Sequence, residues 1–357
     1  LCLIPFLAGL IHRLARPMHQ FMDADAMACA GQQVLAHGTA YDVGVLCPGI
    51  WPPMPYVYTP PAAWIMALLQ GATGTSFTLG LYGALYFGVL LAVFRALLRG
   101  DALTAWRAPF LLGLSGSAVP MGNLSVILHG ALFFAATALR RRPVLLLPLI
   151  VLAGLLKPTF GVYAVLPLFC EACWRRRLAV SAGAALTLVA ALLLFRAAAP
   201  HGFAQWLDIL TRANALLSHG HGFQLIAPYL GAHGATGFVL LYGLYAALLL
   251  AAAGSLLPRL DGPARMALGV LTCLLLYPRL MDYDFYTAPF GLAVLASLLA
   301  AVPKFRAGLF LAGLTVAAVG GLTGGLLFYL LSLALLFAAA YGTYRQGGCG
   351  QLKPSGP

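Results

Sequence analysis

Long apolar stretches recur along this chain between short polar turns, an alternation that predicts helices crossing a lipid bilayer. A first stretch covers residues 1–11, and further ones run at about 77–97, 108–120, 121–138, 144–157, 158–173, 178–197, 232–256, 264–277, 285–302, 307–319 and 322–341. Pro120, Pro158 and Gly320-Gly321 mark points where one span turns into the next. Residues 60–70 are also apolar, but counting them as a span breaks the alternation of charge between successive loops. They are expected as a half-buried or juxtamembrane helix. The predicted architecture is an all-α integral membrane bundle of about 12 transmembrane helices, with both termini cytoplasmic. Residues 1–345 form that one domain, and its first extracytoplasmic loop, about residues 13–76, carries juxtamembrane helices. Residues 346–357, rich in Gly and Pro, read as a disordered cytoplasmic tail. Leu1 is not an initiator Met, so the first span is expected to lack its start, and no cleavable signal peptide is recognisable.

Composition agrees with a polytopic membrane protein. Hydrophobic residues make up 62% of the 357 positions and charged residues 8%, against roughly 25% charged in soluble domains. A net charge of +12 would point to nucleic acid in a soluble chain. Here 15 of the 21 Lys and Arg residues fall on one side of the predicted bundle, including the runs Arg140-Arg141-Arg142 and Arg175-Arg176-Arg177. The positive-inside rule makes that side cytoplasmic and explains the runs without a polyanionic partner. Contact with anionic lipid headgroups is their only expected partnership. The opposite face collects six of the nine acids: Asp23, Asp25, Asp42, Asp208, Asp282 and Asp284. Carboxylates kept beside a bilayer tend to have a task, so any chemistry is expected to face outward.

Seven cysteines leave the pairing open. Cys29 and Cys47 share the acidic loop and could form a disulfide in an oxidising compartment. Cys170-Glu171-Ala172-Cys173 has the spacing of a redox or metal motif but no second pair, and is read as structural.

The outward loops carry an ordered set of motifs. Asp23-Ala24-Asp25-Ala26-Met27-Ala28-Cys29-Ala30 leads to Gly38-Thr39-Ala40-Tyr41-Asp42, then to Tyr56-Val57-Tyr58-Thr59-Pro60-Pro61. Gly122-Asn123-Leu124, Leu156-Lys157-Pro158 and Tyr277-Pro278-Arg279-Leu280-Met281-Asp282-Tyr283-Asp284 follow. In order and outward placement this set resembles glycosyltransferase family 87, also described as domain of unknown function 2029. That family belongs to the GT-C superfamily of membrane enzymes that use polyprenyl-phosphate sugars, and its members are similar to α-mannosyltransferases dependent on polyprenyl-phosphate-mannose. Asn123 stands where the family usually has Gln, and Met27 where an aromatic is common.

The resemblance implies transfer of a hexose, most plausibly mannose, from a polyprenyl phosphate to a lipid or glycan hydroxyl on the extracytoplasmic face of a bacterial inner membrane. Inversion at the anomeric carbon, no cofactor and no metal are implied with it. The family's catalytic Asp corresponds to Asp23, with Asp25 the alternative; on one helix the two point about 200° apart. Arg279 is the first candidate for the donor phosphate, or else a salt-bridge partner of Asp282 or Asp284. Lys157 is a second cation for the phosphate, or a side chain snorkelling to the interface. Asn123, Tyr56, Tyr58, Asp282 and Tyr283 are candidates for lining the donor or sugar site. His219 and His221, in the long loop 198–229, are read as phosphate or acceptor contacts or as a solvated loop, with no third ligand for a metal. His129 and His233 are read as hydrogen-bonded structural residues. A polytopic transporter or lipid flippase is the alternative function, and a catalytically silent scaffold of an envelope-glycan complex a third.

Overall fold

A computed structural model describes residues 7, 10–11, 14–15, 19–41, 47–50, 55–99, 118–216, 220–231, 234–300 and 325–348. Most of the expected first span, most of 108–120, all of 307–319 and the end of the tail lie outside these residues. Among the described residues the fold is helical without a strand. The helices are α1 Met22–His37, α2 Pro60–Thr73, α3 Thr75–Leu98, α4 Leu124–Ala138, α5 Leu147–Leu156 and α6 Trp174–Ala198. They continue as α7 Pro200–Leu216, α8 Gly234–Leu256, α9 Gly262–Leu276, α10 Ala288–Leu299 and α11 Leu326–Gly348.

Four stretches are long and apolar enough to cross a membrane: Thr75–Leu97, Trp174–Ala198, Gly234–Arg259 and Leu326–Tyr344. Their outer faces carry large exposed apolar side chains, among them Leu81, Leu186, Leu194, Leu240 and Leu244. In water such faces would be a liability; in hydrocarbon they are the expected surface. Inside them, α9 is buried along almost its whole length, from Met266 to Leu276, and serves as the central post of the bundle. The other expected spans among the described residues are shorter: α4 and α9 have 15 residues each and α10 has 12, short of the ~20 of a full span, and two more take another form. Residues 144–157 contain the ten-residue α5, and residues 158–169 are a 3₁₀ helix, Pro158–Phe169. At 1.5 Å per residue α5 extends about 15 Å, half the thickness of a hydrocarbon core. Pro158 and Pro167 explain the second case, because each lacks the N–H that an α-helix interior needs.

Among the described residues of 13–76, the helices α1 and α2 pack against each other. Ala24, Ala26, Ala28 and Ala30 of α1 and Ala62, Ala63 and Ala67 of α2 are buried, so the two backbones approach closely. Gly31 sits at the tightest point, where an added Cβ would run into the Gln70 side chain. Gln70 donates from Nε2 to the Ala28 carbonyl at 2.8 Å. The helix α1 ends at Gly38, in the left-handed conformation with its N–H on the Val34 carbonyl. Thr59, before α2, donates its hydroxyl to the Leu155 and Leu156 carbonyls and so fastens the start of α2 to the end of α5. The amphipathic α7 closes over this pair: Trp206 Nε1 donates to the Val57 carbonyl at 3.3 Å.

Cys29 and Cys47 form a disulfide, with Cα atoms 5.5 Å apart, that ties α1 to the loop leading to α2. Cys29→Ser is expected to lower stability by about 2–4 kcal/mol, mainly through loop entropy in the unfolded chain. Thermal unfolding in detergent, with and without reductant, checks this. Equal melting of variant and wild type, or all seven cysteines counted as free thiols without reductant, would remove the cross-link.

Candidate active site

The second residue of α1 is Asp23, and two bends place it. Phe21, the residue before the helix, has φ 65, a left-handed conformation rare for a bulky side chain. From there its N–H reaches the Pro120 carbonyl at 2.7 Å and the Asp23 N–H reaches the Met121 carbonyl at 3.3 Å. Two N–H groups at the start of α1 are thus satisfied by the chain segment before α4. Opposite, Gly122 has φ 66, and an added Cβ there would press on the Phe21 ring and the Ala24 methyl. Its carbonyl accepts from the Tyr82 hydroxyl at 2.7 Å.

Asn123 follows and caps α4, its Oδ1 accepting from the Ser125 N–H at 2.9 Å. Its amide nitrogen donates to Asp23 Oδ2 at 2.9 Å and to the Tyr283 hydroxyl at 2.9 Å. Lys157, at the end of α5, donates to the Ser125 hydroxyl. Its ammonium lies 5.8 Å from the centre of the Tyr58 ring and 5.9 Å from that of Tyr283, within cation–π range of both. The charges of Asp284, Asp23 and Arg279 all act on it. Burial, then the charges of Asp284 and Asp23 against that of Arg279, pushes the Tyr283 hydroxyl well above its usual range, so it keeps its proton.

The late loop, residues 277–284, is latched through His221 and Gln224. His221 donates its N–H to the Leu280 carbonyl at 2.6 Å and receives the Leu280 N–H in return, and Gln224 N–H reaches the Pro278 carbonyl at 2.8 Å. Gly222, at φ 124, leaves room for the Tyr277 and Pro278 carbonyls, which a Cβ would meet. His221 Nε2 pairs with Asp282 Oδ1 at 2.9 Å. Asp284 turns inward: its Oδ2 accepts from the Met281 N–H at 2.9 Å, and its Oδ1 pairs with His129 Nε2 at 3.2 Å. The other ring nitrogen of His129 meets the Tyr163 hydroxyl at 2.7 Å. Burial raises the Asp284 carboxyl, but the His129 hydrogen bond and the Lys157 charge outweigh it, and the net direction is down. Asp284 is therefore ionised at neutral pH.

The structure thus brings Asp23, Asn123, Lys157, Tyr58 and Tyr283 together, with Arg279 acting on the same cluster. Asp25 does not join them. It pairs with His19, Oδ2 to Nε2 at 2.6 Å, and burial raises its carboxyl against that contact. Tyr56 is also set apart: its hydroxyl donates to the Thr59 carbonyl at 3.1 Å, and its ring lies between those of Tyr41 and Tyr58. Asp282 and His221 pair with each other at the outer edge. His219, Asp42 and His233 lie outside the described residues. The sequence reading passed over Ser125 and Asp284 as site residues and took His129 as structural. A signal existed for two of them, since Ser125 and His129 stand four apart, on one face of an otherwise apolar helix. Among the described residues no three His, Cys, Asp or Glu side chains gather as a metal site.

No protein-family model, no curated protein and no solved structure matches the chain. The likeness to family 87 therefore stands on the motifs alone.

Chemically, the cluster offers a carboxylate hydrogen-bonded to Asn123, an ammonium and a protonated phenol, with the charge of the Arg279 guanidinium acting on them. Gly122→Ala tests the hinge. It combines a left-handed residue, about 1–2 kcal/mol for a side chain, with the push on Phe21. Gly38→Ala carries the same conformational cost with nothing within 4 Å of its Cβ. Gly122→Ala is expected to melt clearly below Gly38→Ala. Equal melting temperatures would show that Phe21 gives way freely.

Proposed function

We propose that this chain is a GT-C-type membrane glycosyltransferase, resembling family 87, that moves a hexose from a polyprenyl-phosphate sugar to a lipid or glycan hydroxyl on the extracytoplasmic face. The observation that carries the reading is the meeting of Asp23, Asn123, Lys157 and Tyr283, which come from four stretches scattered between residues 23 and 283. Transfer to a hydroxyl needs a base for the acceptor proton and cations for the departing phosphate. Asp23 is the base and takes the proton from the attacking hydroxyl. Lys157 and Arg279 receive the phosphate, which leaves with the electron pair of the glycosidic bond and needs no separate acid. The anomeric carbon inverts, and the sugar is mannose by the resemblance. Asn123 and Tyr283 hold Asp23 and the late loop in register. The Cys29–Cys47 disulfide supports an oxidising, extracytoplasmic location for this end, here the outer face of a bacterial inner membrane.

One observation favours the alternative of a transporter or flippase. His129 and Asp284 form a fully buried ionisable pair against the sixth residue of α4, and such pairs serve ion coupling in transporters.

Transfer of labelled mannose from polyprenyl-phosphate-mannose to membrane lipid extract distinguishes the two. Asp23→Asn is expected to lose at least about 100-fold in rate, the usual contribution of a general base, while Asp25→Asn retains most activity. A wild-type rate of zero with every hexose donor, together with Asp284-dependent lipid or ion movement in vesicles, would replace the enzyme with the transporter.

A further inference from the structure

A cavity of about 280 Å³ opens at the far end of α1 from Asp23, between the C-terminus of α1, the start of α2 and the first turns of α7. Fourteen residues separate Asp23 from His37 on that helix, so at 1.5 Å each the cavity lies about 21 Å from the reacting carboxylate. It is not part of the cluster described above.

The wall has a definite chemistry. Among the described residues no Asp, Glu, Lys or Arg lines it, which disfavours a phosphate or a cation as ligand. Trp64, 41% exposed, stands on one side, held edge-on by Phe195 with ring centroids 5.6 Å apart. Thr39, Gln205, His37 and His201, all hydrogen-bonding groups, also line it. Thr39 donates its hydroxyl to Gln205 Oε1 at 2.9 Å. That bond fixes the amide and leaves its NH₂ group without a protein partner among the described residues. Gly38 and Gly202 both border the cavity, and an added Cβ at either meets nothing within 4 Å. The backbone is open there, not closely packed.

An exposed indole beside several hydrogen-bonding side chains matches one ligand class. A pyranose offers an apolar C–H face to stack and hydroxyls on its edge to bond, as amphipathic rings do in binding sites generally. Resting on the transferase reading, we propose that this cavity is a distal acceptor subsite that holds a hexose unit of a glycan several sugars long. The acceptor is then an oligosaccharide, whether free or carried as a glycolipid headgroup, whose end reaches Asp23 while an inner unit rests against Trp64. A bare lipid alcohol or a monosaccharide could not occupy both points.

The test uses the whole protein in nanodiscs free of glycolipid, with saturation-transfer NMR of methyl α-D-mannopyranoside, methyl β-D-glucopyranoside and linear mannotriose. Wild type and Asp23→Asn are expected to bind at least one of these sugars. Trp64→Ala should weaken binding by up to about tenfold, the worth of one aromatic contact. Gly202→Leu should fill the cavity and abolish binding, with thermal unfolding showing that the variant is folded. Absence of binding to wild type, or full binding by Gly202→Leu, overturns the subsite and leaves the transferase to be judged by mannose transfer. Binding with no transfer from any polyprenyl-phosphate hexose overturns the acceptor role and, with it, the enzyme reading. Tighter competition by free mannotriose than by a bilayer-anchored alkyl mannoside supports a soluble glycan; the reverse supports a glycolipid.

Discussion

The side-chain amide of Asn123 is the constraint on which the Asp23 end of this bundle depends. It has one acceptor oxygen and two N–H donors, and all three are committed. The oxygen caps the first turn of α4 through Ser125, and the nitrogen holds both Asp23 and Tyr283. The cap also fixes which end of the amide is nitrogen, because reversal would set an NH₂ group against the Ser125 N–H. Three parts of the chain separated by 100 and 160 positions are thereby pinned to one group of atoms. Neither Asp nor Leu could replace it: an Asp would still cap but would repel Asp23, and a Leu would leave the Ser125 N–H and Asp23 short of a partner.

Around that amide the electrostatics are tightly coupled. Asp284 and Lys157 are buried, and each alone would be driven toward its neutral form. Together with Asp23 and Arg279 they form two acids and two bases acting on Tyr283 and on one another. Burial by itself would protonate Asp284; His129 and Lys157 keep it ionised. Asp284 in this way holds the late loop inward from beneath, while His221 latches the same loop through Leu280 and Asp282. The Tyr283 between them has little freedom left. A rigid, charge-balanced cluster of this kind can exchange one internal anion contact for a ligand phosphate without large reorganisation, which is what electrostatic preorganisation requires.

Much of this was legible in the chain because it depends on local chemistry. The long apolar runs gave the four membrane-length helices, and the isolated apolar stretch after Pro60 forms the short helix α2. Opposite orientation of Asp23 and Asp25 follows from 3.6 residues per turn, and the two acids do take different partners. Spacing misleads where the partner is distant. Asp284 reads in sequence as an outward acid or a salt-bridge partner of Arg279, yet it pairs with His129, 155 positions away. Tyr56 and Tyr58 look equivalent in sequence, but only Tyr58 reaches Lys157; the Tyr56 hydroxyl is spent on the Thr59 carbonyl. The proline-containing stretch after Lys157 is apolar enough to be a span, and backbone hydrogen bonding, not hydropathy, makes it a 3₁₀ helix.

The stiffness of α1 connects the local chemistry to the choice of substrate. It is anchored at its start by Phe21 and Asp23 on the segment before α4, in its middle by the Cys29–Cys47 bond and the Gln70 contact, and at its end by the Gly38 cap and Thr39 on Gln205. A helix held at three levels cannot bend to bring its two ends together. Whatever binds beside His37 is therefore kept at a fixed distance from the carboxylate of Asp23, about 21 Å if the helix is straight. Two recognition points on one rigid rod measure a ligand's length, and a chain of hexoses has repeating units of constant size. In such an arrangement α1 would select acceptors by how many units separate the reacting hydroxyl from the sugar stacked on Trp64, with no further residue needed to count them.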